Sequence, residues 1–387
     1  MGLRITAGSA VACRDAGPTT PRSSGLSIAG ASVPYETVDL GTLGGTSSAA
    51  ADVNDNDQVV GSSATGSGAP HAFLWQDGVM TDLGTLGGDT SEATDVNASG
   101  QVAGQSTDGS GARHAFLWSD GVMQDLGPAL RFFAVRLNAG GQVTWSTPMP
   151  DGTRHAMLWT DGVAQDLGTL GGNSEARAIN DLGQVAGQSN SHAFLWDGNV
   201  MQDLGSLGSL AWAADVNNQG QVAGASYAPD HTLHALLWDN GQMTELGTVS
   251  GDPNAYAVAI NEQGQVAGVS VGLNFNRGKP FRWEAGVLLP LNPNDDFRAQ
   301  DERIAAMNQL GVVAGTRALV RYHVAVVSEN GERWELPALS DSGTVANAIN
   351  AAGNVSGVSG SQLDTQHAVL WRRTSSGTIA VLPRVRR

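Results

Sequence analysis

The stretch from Asp166 to Trp196 reads DLGTLGGNSEARAINDLGQVAGQSNSHAFLW and contains the patterns that recur along the whole chain. Its Asn180 belongs to a series of eight asparagines that follow one another at intervals of 37 to 47 residues: Asn54, Asn97, Asn138, Asn180, Asn217, Asn261, Asn308 and Asn350. A repeat of about 42 residues with turn signals inside each copy is typical of a ring or stack of small sheets. The eight copies predict one large repeat domain.

Each copy carries two turn signals. A Gly stands three residues after the anchor Asn in seven copies, Gly183 among them, and Asp57 replaces it in the first. Asn caps a type I turn and Gly takes the left-handed position that follows it. A second signal, Asp-Gly or Asn-Gly, follows the His-Ala-Phe-Leu-Trp segment, as at Asp161-Gly162. Two hairpin turns per copy make neighbouring strands antiparallel, which argues against a parallel β-helix.

Four short strands, named a to d, are predicted in each copy. Strand a ends at the anchor Asn, strand b contains Gln-Val-Ala-Gly, strand c is His-Ala-Phe-Leu-Trp, and strand d is Val-Met-x-Asp-Leu-Gly. Strand c is apolar on both faces, which fits a sheet covered on both sides. We interpret the strand-b Gly, such as Gly187, as room for a neighbouring blade. The sequence predicts an all-β fold, a β-propeller with eight blades of four antiparallel strands.

The ends of the chain bear on how such a ring closes. Residues 35–41 repeat strand d ahead of the first copy, and a ring without exposed edges needs a terminal strand to complete the last blade. We expect residues 35–41 to do so, with 378–387 as an extra edge strand or tail. Residues 1–34 are predicted to be a disordered leader or the remnant of an export signal, and the sequence does not decide whether Cys13 carries a lipid. Residues 35–387 are predicted to form the propeller domain.

Composition excludes several classes of function. The 37 acidic and 21 basic residues give a net charge of −16, which disfavours nucleic acid and anionic lipid as partners. Cys13 is the only cysteine, so neither an intrachain disulfide nor a cysteine-based metal site can form. The sequence contains no run of 18 apolar residues, so no transmembrane helix is expected. A monomer that needs no cofactor is predicted.

The repeat resembles a known family. His-Ala-Phe-Leu-Trp, Asp-Leu-Gly-Thr-Leu-Gly-Gly and Ile-Asn-x-x-Gly-Gln-Val-x-Gly together are similar to the HAF repeat of extracellular bacterial proteins. The similarity covers residues 35–383 and is almost letter for letter in copies one, two and four. It implies a secreted or cell-surface protein and brings no biochemical activity with it. Unlike some members, this chain ends Val-Leu-Pro-Arg-Val-Arg-Arg, without a C-terminal sorting signal.

Recurrent polar residues could suggest chemistry, but their spacing favours structural roles. The strand-c histidines and the strand-d acids occur once per blade, so symmetry places equivalent residues too far apart to share an ion or act as paired carboxylates. Hydrogen bonding of His to backbone or to a strand-d Asp, and capping of a turn by that Asp, are the expected roles. Asp52–Asp57 resembles a calcium loop without its Gly and Glu, and is interpreted as a hairpin. No catalytic or metal site is predicted.

One position varies while its neighbours stay fixed. Five residues before each anchor Asn, at the start of strand a, the copies carry Ala49, Glu92, Phe133, Glu175, Trp212, Tyr256, Arg303 and Val345. A variable, partly aromatic and charged position on a fixed scaffold is typical of a binding face, although a channel lining without a ligand is the alternative. We predict that a ligand or partner binds at the channel mouth to Glu92, Phe133, Glu175, Trp212, Tyr256 and Arg303.

Three functions follow as hypotheses. The first is a non-enzymatic binding or interaction module whose partner is a protein or a glycan on one propeller face. The second is a lectin-like propeller that stacks carbohydrate on Trp212, Tyr256 and Phe133. The third is a hydrolase or lyase on the same face, for which carboxylates within catalytic distance near the channel mouth would be the sign.

Overall fold

The protein is an eight-bladed β-propeller. A computed structural model describes residues 33–131, 133–273, 278–291, 302–319, 322–340, 343–360 and 365–374. These residues form eight sheets of four antiparallel strands, arranged as a ring, as predicted. The predicted leader lies outside the described residues up to Ser32, and the predicted tail 378–387 lies outside them entirely.

The first seven blades each use four consecutive strands in the order a, b, c, d. Blade 1 contains β2 (Gly44–Val53), β3 (Val59–Thr65), β4 (Pro70–Gln76) and β5 (Val79–Asp82); blade 2 contains β6 (Gly87–Val96), β7 (Val102–Asp108), β8 (Arg113–Ser119) and β9 (Val122–Pro128). Blade 3 contains β10 (Arg136–Leu137), β11 (Val143–Pro148), β12 (Arg154–Thr160) and β13 (Val163–Asp166); blade 4 contains β14 (Ser174–Ile179), β15 (Val185–Ser189), β16 (His192–Trp196) and β17 (Met201–Gly205).

The second half of the ring repeats this order. Blade 5 contains β18 (Ala211–Val216), β19 (Val222–Tyr227), β20 (Leu233–Asp239) and β21 (Gln242–Glu245); blade 6 contains β22 (Asn254–Ile260), β23 (Val266–Val271), β24 (Lys279–Glu284) and β25 (Val287–Pro290). Blade 7 contains β26 (Glu302–Met307), β27 (Val313–Ala318), β28 (His323–Glu329) and β29 (Glu332–Glu335), and blade 8 contains β30 (Thr344–Ile349), β31 (Val355–Ser359), β32 (His367–Arg373) and β1 (Tyr35–Asp39).

Strand β1 closes the ring, which confirms the expectation for residues 35–41. It pairs with β32 from Tyr35 opposite Arg373 to Asp39 opposite Val369. Leu40 continues the ladder by donating its N–H to the Ala368 carbonyl at 3.0 Å. The N-terminal strand therefore supplies strand d of the last blade.

The turns are those that the sequence predicted. The Asn-x-x-Gly turn has a hydrogen bond from the Gly183 N–H to the Asn180 carbonyl at 3.0 Å, with Gly183 at φ +77°. In six c–d turns both central residues have positive φ, for example 49° at Asp161 and 91° at Gly162, as a type I′ hairpin requires, whereas in the turn of blade 4 only Gly198 does. Asp57 takes the left-handed position at φ +59° in the first copy.

The anchor asparagines do more than cap these turns. In every blade the Asn side chain donates its Nδ2–H to the main-chain carbonyl of the anchor Asn in the next blade, at 2.8 to 3.3 Å, and the bond from Asn350 to Asn54 completes the circle. Their Oδ1 atoms accept main-chain N–H groups four residues later, such as that of Gln184 at 2.9 Å. Each Asn therefore fixes its own turn and links two blades.

The strand-b Gly was expected to leave room for a neighbouring blade, and this interpretation was wrong. A Cβ on Gly224 would lie 2.0 Å from the carbonyl oxygen of Trp212, and this oxygen belongs to strand a of the same blade, not to a neighbouring blade. A bulge in strand a between Ala213 and Asp215 accompanies this close approach. The glycine therefore leaves room for the irregular inner strand.

Blade 3 shows what happens without that glycine. Trp145 occupies the position, is 2 % exposed and donates its indole N–H to the Pro128 carbonyl at 3.0 Å. Strand a is reduced to Arg136–Leu137 in this blade. Because a side chain at position 145 fills the space that the strand-a carbonyl takes elsewhere, the regular inner strand cannot form upstream of Arg136.

Candidate functional site

The candidate site lies on the face where strand a begins. The b–c loops and the d-to-a connections lie on this face, which we call the crossing face, whereas the a–b and c–d turns lie on the other, the hairpin face. Four of the six predicted mouth residues are the second or third residue of strand a: Glu175, Trp212, Tyr256 and Arg303. Glu92 is the sixth residue of the longer β6, and Phe133 precedes strand a of blade 3. Side chains there are half-buried or exposed, in contrast to the buried residues on either side, such as Ala211 and Ala213 beside Trp212.

Two cavities open against the innermost strands on the crossing face. One, of about 580 Å³, lies between blades 7 and 8 and contains the predicted residue Arg303 with Val345, Thr316 and His323 on its wall. The other, of about 380 Å³, contains the predicted residue Glu92 with Ala49 and Arg136. Asn347 lines both cavities, so the structure brings several of the predicted positions together around one part of the mouth.

Blades 2 to 4 present ion pairs at the mouth. Glu92 accepts a hydrogen bond from Arg113 at 3.2 Å. Glu175 contacts Arg154 at 2.5 Å and Arg177 at 3.5 Å, and its side chain is only 12 % exposed. These carboxylates and guanidinium groups largely neutralise one another and still offer hydrogen-bonding edges to solvent. Sequence reasoning had found the two glutamates but not their arginine partners, of which Arg113 and Arg154 lie on strand c and Arg177 lies on the strand of Glu175 itself.

Blades 5 and 6 present aromatic rings. Trp212 lies beside Tyr227, with ring centroids 6.4 Å apart and planes tilted by 55°. Tyr256 occupies the equivalent position of the next blade and packs against a buried cluster that includes Val269. Tyr227 is the mouth residue that the sequence did not single out, because it lies at the end of strand b rather than at the varied position of strand a.

Phe133 departs from the prediction. It was expected at the entrance of an innermost strand, but strand a of blade 3 begins only at Arg136, for the reason given above. The Phe133 carbonyl accepts a hydrogen bond from Gln105 at 3.2 Å, and its ring lies under the Arg154 guanidinium at 5.5 Å. Phe133 is therefore held by blades 2 and 3 and its ring face is covered by Arg154.

The channel contains a set of carboxylates that the sequence analysis did not select. Asp52, Asp95 and Asp215 stand two residues before their anchor asparagines, and each accepts a main-chain N–H of the next blade, from Val96 at 3.0 Å, Leu137 at 2.9 Å and Ile260 at 2.9 Å respectively. Arg136 occupies the same position in blade 3. Alignment of the repeats on the anchor Asn would have shown these residues as a second varied position.

Two of these carboxyl groups are neighbours. Burial, and next the charge of Asp52, raises the pKa of Asp95 well above its ordinary value, although Arg136 acts in the opposite direction. A side-chain hydrogen bond that the protonated Asp95 carboxyl donates to Asp52 contributes in the same direction as burial. Asp95 therefore retains its proton to a higher pH than an exposed aspartate.

Asp215 gives a pH dependence that can be measured. Burial raises its pKa to about 6, against the effect of hydrogen bonds from Ile260 and Val216. Because the unfolded chain releases this proton near pH 4, stability from the protonated form is present below that pH and is lost as the pH rises through 6. The free energy of unfolding of wild type should therefore fall by roughly 1–2 kcal/mol between pH 4 and pH 7, a value that allows for partial hydration of the carboxyl group. Asp215→Asn should not show this fall.

The measurement is the free energy of unfolding of wild type and Asp215→Asn at pH 4, 5, 6, 7 and 8. The control is Asp77→Asn, an exposed type I′ turn residue at a place where blade 5 already carries Asn240. The difference between wild type and Asp215→Asn should change with pH, and that for the control should stay flat. Parallel pH profiles for all three proteins would contradict the assignment to Asp215.

The recurrent histidines have the structural role that the sequence predicted. In six blades the His Nδ1 lies 2.6 to 3.0 Å from the strand-d carboxylate, as in His192 with Asp203. The same Asp203 accepts the Gly205 N–H at 2.7 Å, so it also caps the turn after strand d. Each pair belongs to a separate blade.

The described residues contain neither a cluster of metal ligands nor a membrane-spanning helix. Within them, no three His, Cys, Asp or Glu side chains converge in a way that could hold a metal ion. Over the same part of the chain, there is no helix with the length and apolar character needed to cross a bilayer.

Comparison with known proteins shows a similar fold but identifies no family. No protein-family profile and no curated protein matches the chain. A solved prolyl endopeptidase structure is similar with a TM-score of 0.54 and 10 % identity, covering 87 % of this chain and 56 % of that one. The puromycin-hydrolyzing peptidase of Mycobacterium tuberculosis matches with a TM-score of 0.48 and 13 % identity over 74 % and 53 % of the two chains.

A third match is the β-propeller domain of the Trilobed protease from Pyrococcus furiosus, with a TM-score of 0.49, 8 % identity, and coverage of 73 % of this chain and 95 % of that one. The chain thus spans little more than half the length of the two peptidases named above. At 10 % identity, the likeness to the prolyl endopeptidase structure shows a similar fold and nothing about chemistry.

Proposed function

We propose that this chain is a non-enzymatic binding propeller of the HAF repeat family, secreted or displayed at the cell surface and acting as a monomer. Its partner, a protein or a glycan, binds at the mouth of the channel on the crossing face. The observation that supports this is the contrast at the start of strand a. Trp212, Tyr256, Glu92 and Arg303 vary in type and reach the surface, whereas the positions that flank them in strand a are buried.

Catalysis is the second candidate, because one observation favours it. Asp52 and Asp95 are neighbouring carboxyl groups in the channel, and burial together with the charge of Asp52 raises the pKa of Asp95 well above its ordinary value. A protonated acid beside a carboxylate is the arrangement used in general acid–base catalysis. In this propeller, however, both carboxylates accept main-chain N–H groups of the next blade, which gives them a structural role.

The two candidates predict different results for Trp212→Ala. We expect wild type to retain ligands from an immobilised glycan panel or a random-peptide display library, and Trp212→Ala to lose them with little change in melting temperature. The control is Leu182→Ala, which removes an apolar side chain that is 70 % exposed on the opposite, hairpin face. This variant should bind like wild type.

Turnover is measured in parallel on chromogenic glycosides, esters and peptide anilides. The binding proposal expects no hydrolysis above that of buffer. Saturable hydrolysis by wild type that disappears in Asp95→Asn, while the fold persists, would replace it with the enzymatic alternative. Retention of every selected ligand by Trp212→Ala would remove the channel mouth as the binding site.

A further inference from the structure

We infer that the sector of the mouth formed by blades 5 and 6 binds an uncharged pyranose glycan, which stacks on the indole of Trp212. This inference rests on the proposed function and specifies its ligand. The sector is defined by Trp212, Tyr227 and Tyr256.

The first step is the shape and polarity of this sector. Trp212 stands opposite Ala225 across the sheet, and Tyr256 stands opposite Val269, and both of these strand-b partners are fully buried. In blades 1, 2, 4 and 7 the equivalent partner is polar: Ser62, Gln105, Gln188 and Thr316. At this place, therefore, blades 5 and 6 carry an aromatic residue opposite an apolar partner, whereas the other four blades have a polar partner. Tyr227, tilted by 55° to Trp212, forms a side wall to it.

The second step is charge. Next to the aromatic sector, Glu175 is paired with Arg154 and Arg177, and Arg177 also donates to Gln188 at 3.2 Å. A charged ligand would have to separate these pairs, whereas sugar hydroxyls can donate to the carboxylate and accept from the guanidinium groups without doing so. The net charge of −16 further disfavours a polyanionic glycan.

The third step concerns the competing occupant, an extended peptide. Such a peptide binds by adding a strand to an exposed sheet edge, and strand a is the inner edge of each blade. In blades 2, 3 and 6 one N–H of this edge, that of Val96, Leu137 or Ile260, is already bonded to a channel aspartate. A peptide strand added along the full edge of blade 6 would have to replace the bond of Ile260, whereas a ligand stacked on Trp212 leaves it in place. This arrangement favours a ligand that stacks over one that extends the sheet.

The test is calorimetric titration of the full chain with neutral oligosaccharides of glucose, mannose, xylose and N-acetylglucosamine, with oligogalacturonate, and with a random-coil peptide of similar length. At least one neutral oligosaccharide should bind saturably. Trp212→Ala should weaken that binding at least about tenfold, as expected for a central aromatic contact, and Trp212→Phe should keep it within about threefold. Leu182→Ala should match wild type.

The outcomes distinguish a failure of this inference from a failure of the proposed binding function. If only oligogalacturonate or only the peptide binds, and Trp212→Ala loses that binding, the ligand is not a neutral glycan and this inference is overturned. The mouth would still be the binding site. Neutral-glycan binding that is unchanged in both Trp212→Ala and Tyr256→Ala would place the glycan elsewhere and overturn the inference. Failure of every ligand in the panel, together with a peptide library that selects nothing, would count against the binding function itself.

Discussion

Deletion of residues 1–44 should lower the free energy of unfolding by on the order of 5 kcal/mol, because it removes strand d of blade 8 with two buried side chains. Tyr35 and Leu40 are each 5 % exposed; Tyr35 packs with Trp371, and Leu40 with Leu370. The deletion also leaves the edge of β32 without a partner, at the one seam where the ring joins its two ends.

The matched control is deletion of residues 1–30, which removes none of the described residues and should leave the melting temperature unchanged. Both truncated proteins are compared with the full chain by thermal and denaturant unfolding. The longer deletion should also cause concentration-dependent association through the free edge. If the two truncations melt together, strand β1 contributes nothing to closure, and another segment must cover β32.

Regular features of this fold could be predicted because each is determined within one repeat. The Asn-x-x-Gly and Asp-Gly turns depend on the φ values that only a few residue types tolerate, and the His-Ala-Phe-Leu-Trp segment is apolar on both faces, which predicts that both faces of strand c are covered. Closure by residues 35–41 was also predictable, because a strand-d sequence ahead of the first copy has no other blade to join. The His–Asp pairs followed from two residues that recur together on adjacent strands.

Other features depend on contacts between repeats, and a linear pattern does not contain them. The Nδ2 of Asn54 bonds the carbonyl of Asn97, 43 residues away, because the ring brings successive turns together. Asp57 replaces Gly at the seam, where its Oδ1 accepts hydrogen bonds from Asn350 and Asn354, both at the far end of the chain. The shortening of strand a in blade 3 follows from Trp145, whose effect requires knowledge of which carbonyl that position contacts.

The candidate site was likewise only partly predictable from the sequence. Its position on strand a could be read from the sequence, since variation among fixed neighbours marks it. Its partners could not, because Arg113 and Arg154 come from strand c and Tyr227 from strand b. Phe133 was misplaced for the reason that also made blade 3 irregular. A binding role for the six predicted residues stays a prediction until a ligand is tested.

Trp196→Ala should destabilise the protein by on the order of 3–5 kcal/mol, whereas Trp212→Ala should cost far less. Trp196 is 5 % exposed and packs among Leu158, Phe194 and neighbouring residues between blades 3 and 4. Its removal leaves a cavity that the surrounding strands cannot fill, because each blade is held by hydrogen bonds to its own strands and by contacts with two neighbours. Trp212 is half-buried at the mouth, at a position where blade 1 carries Ala49 and still folds.

The comparison uses guanidinium unfolding of both variants and wild type under identical conditions, with the slope of the transition checked for a change in cooperativity. A lower midpoint for Trp196→Ala with an unchanged slope would show that the loss spreads through the whole ring. A reduced slope or a second transition would show that blades 3 and 4 unfold separately, as nearest-neighbour coupling between repeats allows. If Trp212→Ala proves as destabilising as Trp196→Ala, Trp212 belongs to the core, and the aromatic sector of the mouth is a packing feature rather than a binding surface.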